Sequence, residues 1–191
     1  MEELEDYSGE FKPDLELQHF SKNALVRLIR AAGRIYGGID QLWYGVMRDK
    51  FGDQMAGELQ TEVWYKRGGA AELEIRSLTK ELNFSGNDVA NYLKVMQLLP
   101  AMATLMEIEF ELKNKNHGIM TVKRCRPLEH YEKIEDAVAQ KQLCEVLELK
   151  GFEYSAKLFN PRMKATPLKL PPRKSKDDIA CIWEFKIEPE A

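Results

Sequence analysis

The chain has 191 residues, 44% of them apolar and 31% charged, with a net charge of −3 at neutral pH. That length suits one well-buried core, the composition excludes intrinsic disorder as the main state, and the acidic balance gives no global case for nucleic-acid binding. No apolar run approaches the ~20 residues that cross a bilayer, and the acidic start Met1-Glu2-Glu3-Leu4-Glu5-Asp6 is unlike a secretory signal. The expectation is a cytoplasmic protein with neither membrane nor nucleic-acid partners.

Residues 1–20 read as an extended acidic lead-in, in which Leu15, Leu17 and Phe20 dock onto the body. A helical region over 21–100 follows. Ser21 is an N-cap residue type ahead of Leu25, Leu28, Ile29, Ala32 and Ile35, whose spacing of three and four predicts a helix that Gly37-Gly38 stops or kinks. A second helix starts at Asp40 and carries Leu42, Trp43, Val46, Met47, Met55, Leu59, Val63 and Trp64 until Gly68-Gly69. A third spans about 70–82, and Ser85 or Asn87 caps a fourth that runs to Pro100.

The period then changes from 3.6 to 2. Met106, Ile108, Phe110 and Leu112 alternate with Glu107, Glu109 and Glu111, which predicts a strand with one wet acidic face. The turn residues 114–118 lead into a partner strand ending at Cys125. Helices are predicted over 127–134 and 138–159, and strands over 164–170 and 179–188. The order over 101–191 is thus β-β-α-α-β-β. The fold class is α+β: a four-stranded antiparallel sheet packed against helices, with an N-terminal helical region, in one compact domain.

Three cysteines carry the chemistry. Cys125 ends a strand, Cys144 opens the long helix, and Cys181 alternates with Trp183 and Phe185 toward the covered face of the last strand. Glu148 lies one helical turn after Cys144, with Gly151 beyond it, where a glycine admits a close approach. Sulfur from three elements meeting in one place would hold zinc or iron through Cys125, Cys144 and Cys181 with His130 or Glu148. It would equally make a redox centre, or a nucleophile in which Cys144 and Glu148 are catalytic. The plainer alternative is three small core residues. His19 and His117 fall in the lead-in and a turn, and neither G-x-S-x-G, G-x-G-x-x-G nor a phosphate-binding loop is present.

Between 157 and 176 the chain carries Lys157, Arg162, Lys164, Lys169, Arg173, Lys174 and Lys176 and no acid. Charge and prolines of this kind protect an exposed sheet edge; an anion site is the other reading. Tyr36, Trp43 and Trp64 recur on helices expected to face the sheet, where an aromatic-lined cavity would suit a small molecule.

The runs 125–129, 159–161, 167–173 and 179–185, with Cys144, Glu148, Leu42-Trp43-Tyr44 and Glu62-Val63-Trp64, resemble a family of uncharacterised prokaryotic cytosolic proteins over most of the chain. More distantly, the placing of the three cysteines is similar to that in the L-2-amino-thiazoline-4-carboxylate hydrolase family and in vinyl-reductase-like ligand-binding domains. Those similarities imply a small-molecule pocket between helices and sheet with thiols near it.

Three functions follow as expectations. The first is a cytosolic protein that binds a small molecule or a metal in a cysteine-lined pocket. The second is a hydrolase of the aminothiazoline-carboxylate type that uses a cysteine or a metal, and the third a non-catalytic interaction protein with core thiols. A homo-oligomer is compatible with each.

Overall fold

The computed structural model describes residues 3–188; the first two residues of the expected lead-in and the last three of the chain lie outside that range. The alternating stretch after residue 105 forms β1 (Met106–Asn114), which returns through a tight turn as β2 (His117–Cys125). The sheet is completed by β3 (Met163–Lys169) and β4 (Cys181–Ile187), in the order β1-β2-β4-β3 with every neighbour antiparallel. Register places Phe110 opposite Met120, and Met120 opposite Trp183. The period of 2 then sorts the faces: Met120, Val122, Met163, Trp183, Phe185 and Ile187 are buried, while Glu107, Glu109 and Glu111 lie on the wet side. β3 is an edge strand, and the basic band around it is ion-paired: Lys164 with Glu188, Lys169 with Asp178, and Arg173 with Glu132.

The covered face is capped by α3 (Val89–Met96) and by one helical rod made of α6 (Ala137–Lys141), a π-helical turn (Gln142–Leu147) and α7 (Glu148–Phe159). Backbone angles stay helical across both junctions of the rod. α3 is capped by Asp88, whose carboxylate accepts from the Asn91 amide at 2.9 Å. Neither Ser85 nor Asn87 does this; the Asn87 carbonyl instead accepts from Asn160 Nδ2 at 3.1 Å, tying the start of α3 to the end of α7. Pro100 does not end that helix either. α3 stops at Met96, and Pro100 sits in the first turn of a separate short helix, α4 (Pro100–Leu105), where its missing N–H has no cost.

Two more helices, α2 (Ala70–Glu81) and α5 (Arg126–Lys133), close the ends of this layer, and α1 (Lys22–Tyr65) runs across its outside. Ser21 caps α1, accepting from the Ala24 amide at 3.2 Å. Gly37-Gly38 does not break the helix, contrary to expectation. The irregular residue is Gly52, at φ 79°. The earlier glycines serve close packing: a Cβ on Gly33 would lie 2.6 Å from Thr104 Cγ2, and one on Gly37 2.6 Å from Leu105 Cδ1. α4 therefore lies directly on the α1 backbone. Helix-period apolarity predicted α1, but its apolar residues do not all face inward; Leu28, Ile29, Ile35 and Trp43 are exposed. Among the described residues no helix is long and apolar enough to cross a membrane.

The α1–α4 contact yields a direct test. Gly33→Ala forces a methyl into the Thr104 side chain, so urea denaturation should show a loss of about 1–3 kcal/mol. A raised midpoint, as an ordinary Gly→Ala exchange in a helix gives, would mean that α4 does not sit this close.

Candidate functional site

Three helices each place one carboxylate on an inward face. Asp40 shares the inner side of α1 with Gly33, Gly37 and Tyr44; Glu74 lies between Ala71 and Ile75 of α2; Glu148 opens α7 one turn before Phe152. With the aromatic rings of Tyr36, Trp64 and Tyr65 they line a cavity of about 390 Å³ between α1, α2, α4 and the rod. That volume is in the range of small-molecule sites. Its wall is mostly apolar, and Arg34, Arg126 and His130, all exposed, stand at its rim.

Asp40 is held in place by two donors, Trp64 Nε1 at 2.8 Å and Gln60 Nε2 at 3.1 Å. Trp64 in turn packs edge-on against Tyr36, with ring centroids 6.2 Å apart. Glu74 is less satisfied: its Oε1 is buried with no hydrogen-bond partner among the described residues. Burial pushes the Glu74 carboxyl up to about 7, against the opposing pull of the Tyr36 hydroxyl and with a contribution from the Asp40 charge. Glu148 also rises to about 7, first through burial and then through the charges of Glu74 and Asp40. Burial raises Asp40 above the usual carboxylate range, though its two donors favour the charged form. No Lys or Arg pairs with any of the three among the described residues. Three acids thus compete for the negative charge in a poorly solvated space.

Gly151 has a specific role at this wall. A Cβ there would lie 2.8 Å from Tyr65 Cζ, so the glycine lets the Tyr65 ring lie across α7 next to the cavity. The close approach expected at Gly151 is therefore made by Tyr65. On the same helix, Ser155 Oγ meets the Tyr92 hydroxyl at 2.8 Å.

Cys125, Cys144 and Cys181 line a second, much smaller void of about 30 Å³ between the rod and the sheet. That is about the volume of one water. Glu148, Leu143, Met106 and Phe152 border both spaces, so the thiols lie behind Glu148 and not in the main cavity. Burial pushes Cys125 and Cys181 up to about 12 and Cys144 higher still. Burial thus favours the neutral thiols, which are poor nucleophiles in this state. The Trp183 indole N–H sits beside the Cys181 sulfur and favours its charged form against the larger effect of burial. His130 lines the main cavity instead, its ring 5.6 Å from that of Tyr131. Among the described residues no three His, Cys, Asp or Glu side chains are grouped to share a metal ion.

Asp40 and Glu74 were not singled out from the sequence, although each left a sign there. Both are carboxylates on the apolar face of an amphipathic helix: Glu74 falls in the same stripe as Ala71, Ile75 and Leu78, and Asp40 in that of Gly33, Gly37 and Tyr44.

The raised Glu148 value has a signed consequence. Because the folded state holds this proton more tightly than the unfolded chain, its contribution to stability is complete below about pH 4 and is lost as the pH rises through about 7. Glu148→Gln, which mimics the protonated form, should therefore match the parent near pH 4.5 and exceed it at pH 8 by on the order of 2 kcal/mol. Chemical denaturation at the two pH values reads this difference; an equal offset at both would place Glu148 in contact with bulk water.

No curated protein and no solved structure matches the chain. A family profile does, over residues 18–187, from within the 3-10 turn Leu17–His19 to the end of β4. The chain belongs to the family of unknown function DUF6125.

Proposed function

We propose that the protein binds a small molecule in the 390 Å³ cavity, and that the molecule has an apolar or aromatic body and a basic nitrogen directed at Glu148 and Glu74. The supporting observation is the set of three carboxyl groups, each half-buried in an apolar wall and without a Lys or Arg partner among the described residues, one of them with a buried oxygen that lacks a hydrogen bond. An unpaired buried charge is costly. A cationic ligand supplies the missing partner, while Tyr36, Trp64 and Tyr65 offer ring faces to its body and its charge. The exposed Arg34, Arg126 and His130 would accommodate an acidic substituent at the mouth.

A hydrolytic activity on such a ligand is the second reading. A carboxyl with a pKa of about 7 is matched to accepting and returning a proton near neutral pH. In this version Glu148 moves the proton and water is the nucleophile. Cys144, whose thiol is held neutral, serves as packing behind it. Zinc or iron on Cys125, Cys144, Cys181 and His130 receives no support, since His130 and the thiols line different spaces.

Arylalkylamines, each paired with the alcohol of the same shape, test the binding reading by calorimetry; tryptamine against tryptophol is one pair. The amine should bind at least about tenfold more tightly at pH 8, a difference of about 1.4 kcal/mol. The preference should shrink toward pH 6 as Glu148 and Glu74 take up protons, weaken in Glu148→Gln, and vanish when Glu74→Gln is added. Equal affinity for amine and alcohol across the panel would sink the cationic ligand, and no binding of either would sink the cavity as a site.

A further inference from the structure

The face of α1 opposite the cavity carries a second pattern. Leu28, Ala32, Ile35, Ile39, Leu42 and Val46 follow one another at steps of four and three, the 3.5-residue repeat of a coiled-coil seam, and all six are exposed. Trp43 flanks the seam on one side and is 64% exposed. On the other side stand Ala31, Gly38 and Gly45, one heptad apart, with open space around Gly38 and Gly45. Large side chains thus form a ridge beside a shallow groove of small ones.

We propose that two copies of the chain pair antiparallel through this seam, with the two-fold axis near Gly38. Charge sets the direction. Residues 22–39 contain Lys22, Arg27, Arg30 and Arg34 and no acid, whereas the second half mixes Arg48 and Lys50 with Asp49, Asp53 and Glu58, and Arg48 is already paired with Asp53 and Asp136. Parallel pairing would lay four cations along four cations. Antiparallel pairing brings Arg27 of one copy level with Asp49 of the other, since both are equally far from Gly38, and sets Ala31 against Gly45, where the backbones approach closely. Ile29 and Trp43 share the remaining flank.

Area supports the same occupant. Leu28, Ile29, Ile35, Ile39, Leu42, Trp43 and Val46 are 43–72% exposed; at roughly 100 Å² each they present on the order of 700 Å², near the ~800 Å² per partner of a standard interface. Isolated monomers rarely leave a contiguous patch of that size uncovered. A membrane-surface helix would carry cations along its whole polar face, whereas here the acids Asp49, Asp53 and Glu58 stand among the cations of the second half.

Sedimentation velocity on the full chain tests the pairing. The parent should sediment at twice its 22.1 kDa mass at micromolar concentration. Leu42→Glu should sediment as a monomer, with an unchanged helical circular-dichroism spectrum showing that it still folds. Arg27→Asp should weaken the dimer about tenfold, and adding Asp49→Arg should restore it, a rescue available only to the antiparallel register. A parent that is monomeric at 100 µM, or a Leu42→Glu dimer, overturns the proposal. A monomer that pellets with phosphatidylglycerol vesicles assigns the face to lipid and overturns it too. Failure of the charge swap overturns the antiparallel arrangement. None of these outcomes depends on the cavity's ligand.

Discussion

The Phe152 ring lies 4.5 Å from that of Trp183 and 5.7 Å from that of Phe185, and the remaining geometry of the site follows from this contact. It fixes the rotation of α7 on the sheet. One turn earlier on the same face stands Glu148, and three residues later Ser155, whose hydroxyl engages Tyr92; Tyr92 in turn packs on Phe185 at 4.9 Å. The loop of contacts from α7 through β4 to α3 and back closes on itself, and rings at these distances gain both burial and favourable edge contacts. The π-helical turn just before Glu148 widens the rod where Cys144 and Leu147 are buried. Such turns recur at functional sites because they change which residue points where without breaking the helix. Here the thiol faces the small void, and the carboxylate stands between the two spaces.

That rigid layer carries an electrostatic burden. Asp40, Glu74 and Glu148 come from three separate helices, so no local chain constraint forces them together; only the tertiary packing does. Three acids in an apolar wall oppose folding once the pH is high enough to ionise them, and hydrophobic contacts elsewhere must offset that cost. A chain that tolerates such a cluster holds a strained arrangement of the kind associated with binding and catalysis, where stability and activity pull apart. The cysteines carry no comparable burden. They are small neutral groups that fill the space behind Glu148, and their effect on the cavity is to keep its back wall dry.

Period alone made the architecture legible: the switch from three-and-four spacing to alternation at Met106 marked where the sheet starts, and Cys181, Trp183 and Phe185 were placed on the covered face by the same count. Gly37-Gly38 misled because a glycine pair reads as a break in isolation, whereas the packing of Leu105 against Gly37 is a tertiary fact with no trace in the local sequence. The site divided in the same way. Glu148 and the three cysteines lie within one stretch of rod and sheet whose facing could be counted out. The cavity also needs α1 and α2 to fold back over that stretch. The distance in sequence between Asp40, Glu74 and Glu148 hid their meeting, although each alone is a charged residue in an apolar stripe.

α1 serves two surfaces at once, and its composition records both demands. The inner side needs small residues at Gly33 and Gly37 so that α4 can lie on the backbone, and a carboxylate at Asp40 for the cavity. The outer side repeats every 3.5 residues and sets Gly38 and Gly45 beside its ridge. A helix with so many glycines forgoes about 1 kcal/mol of propensity at each relative to alanine. Isolated, it would be a poor helix. Its continuity from Lys22 to the kink at Gly52 therefore rests on what packs against it, and α4 supplies that contact on the inner side. Tyr36, Gly37 and Asp40 belong to the cavity wall while Ile35, Ile39 and Leu42 between and beside them face outward, so one short segment presents both surfaces.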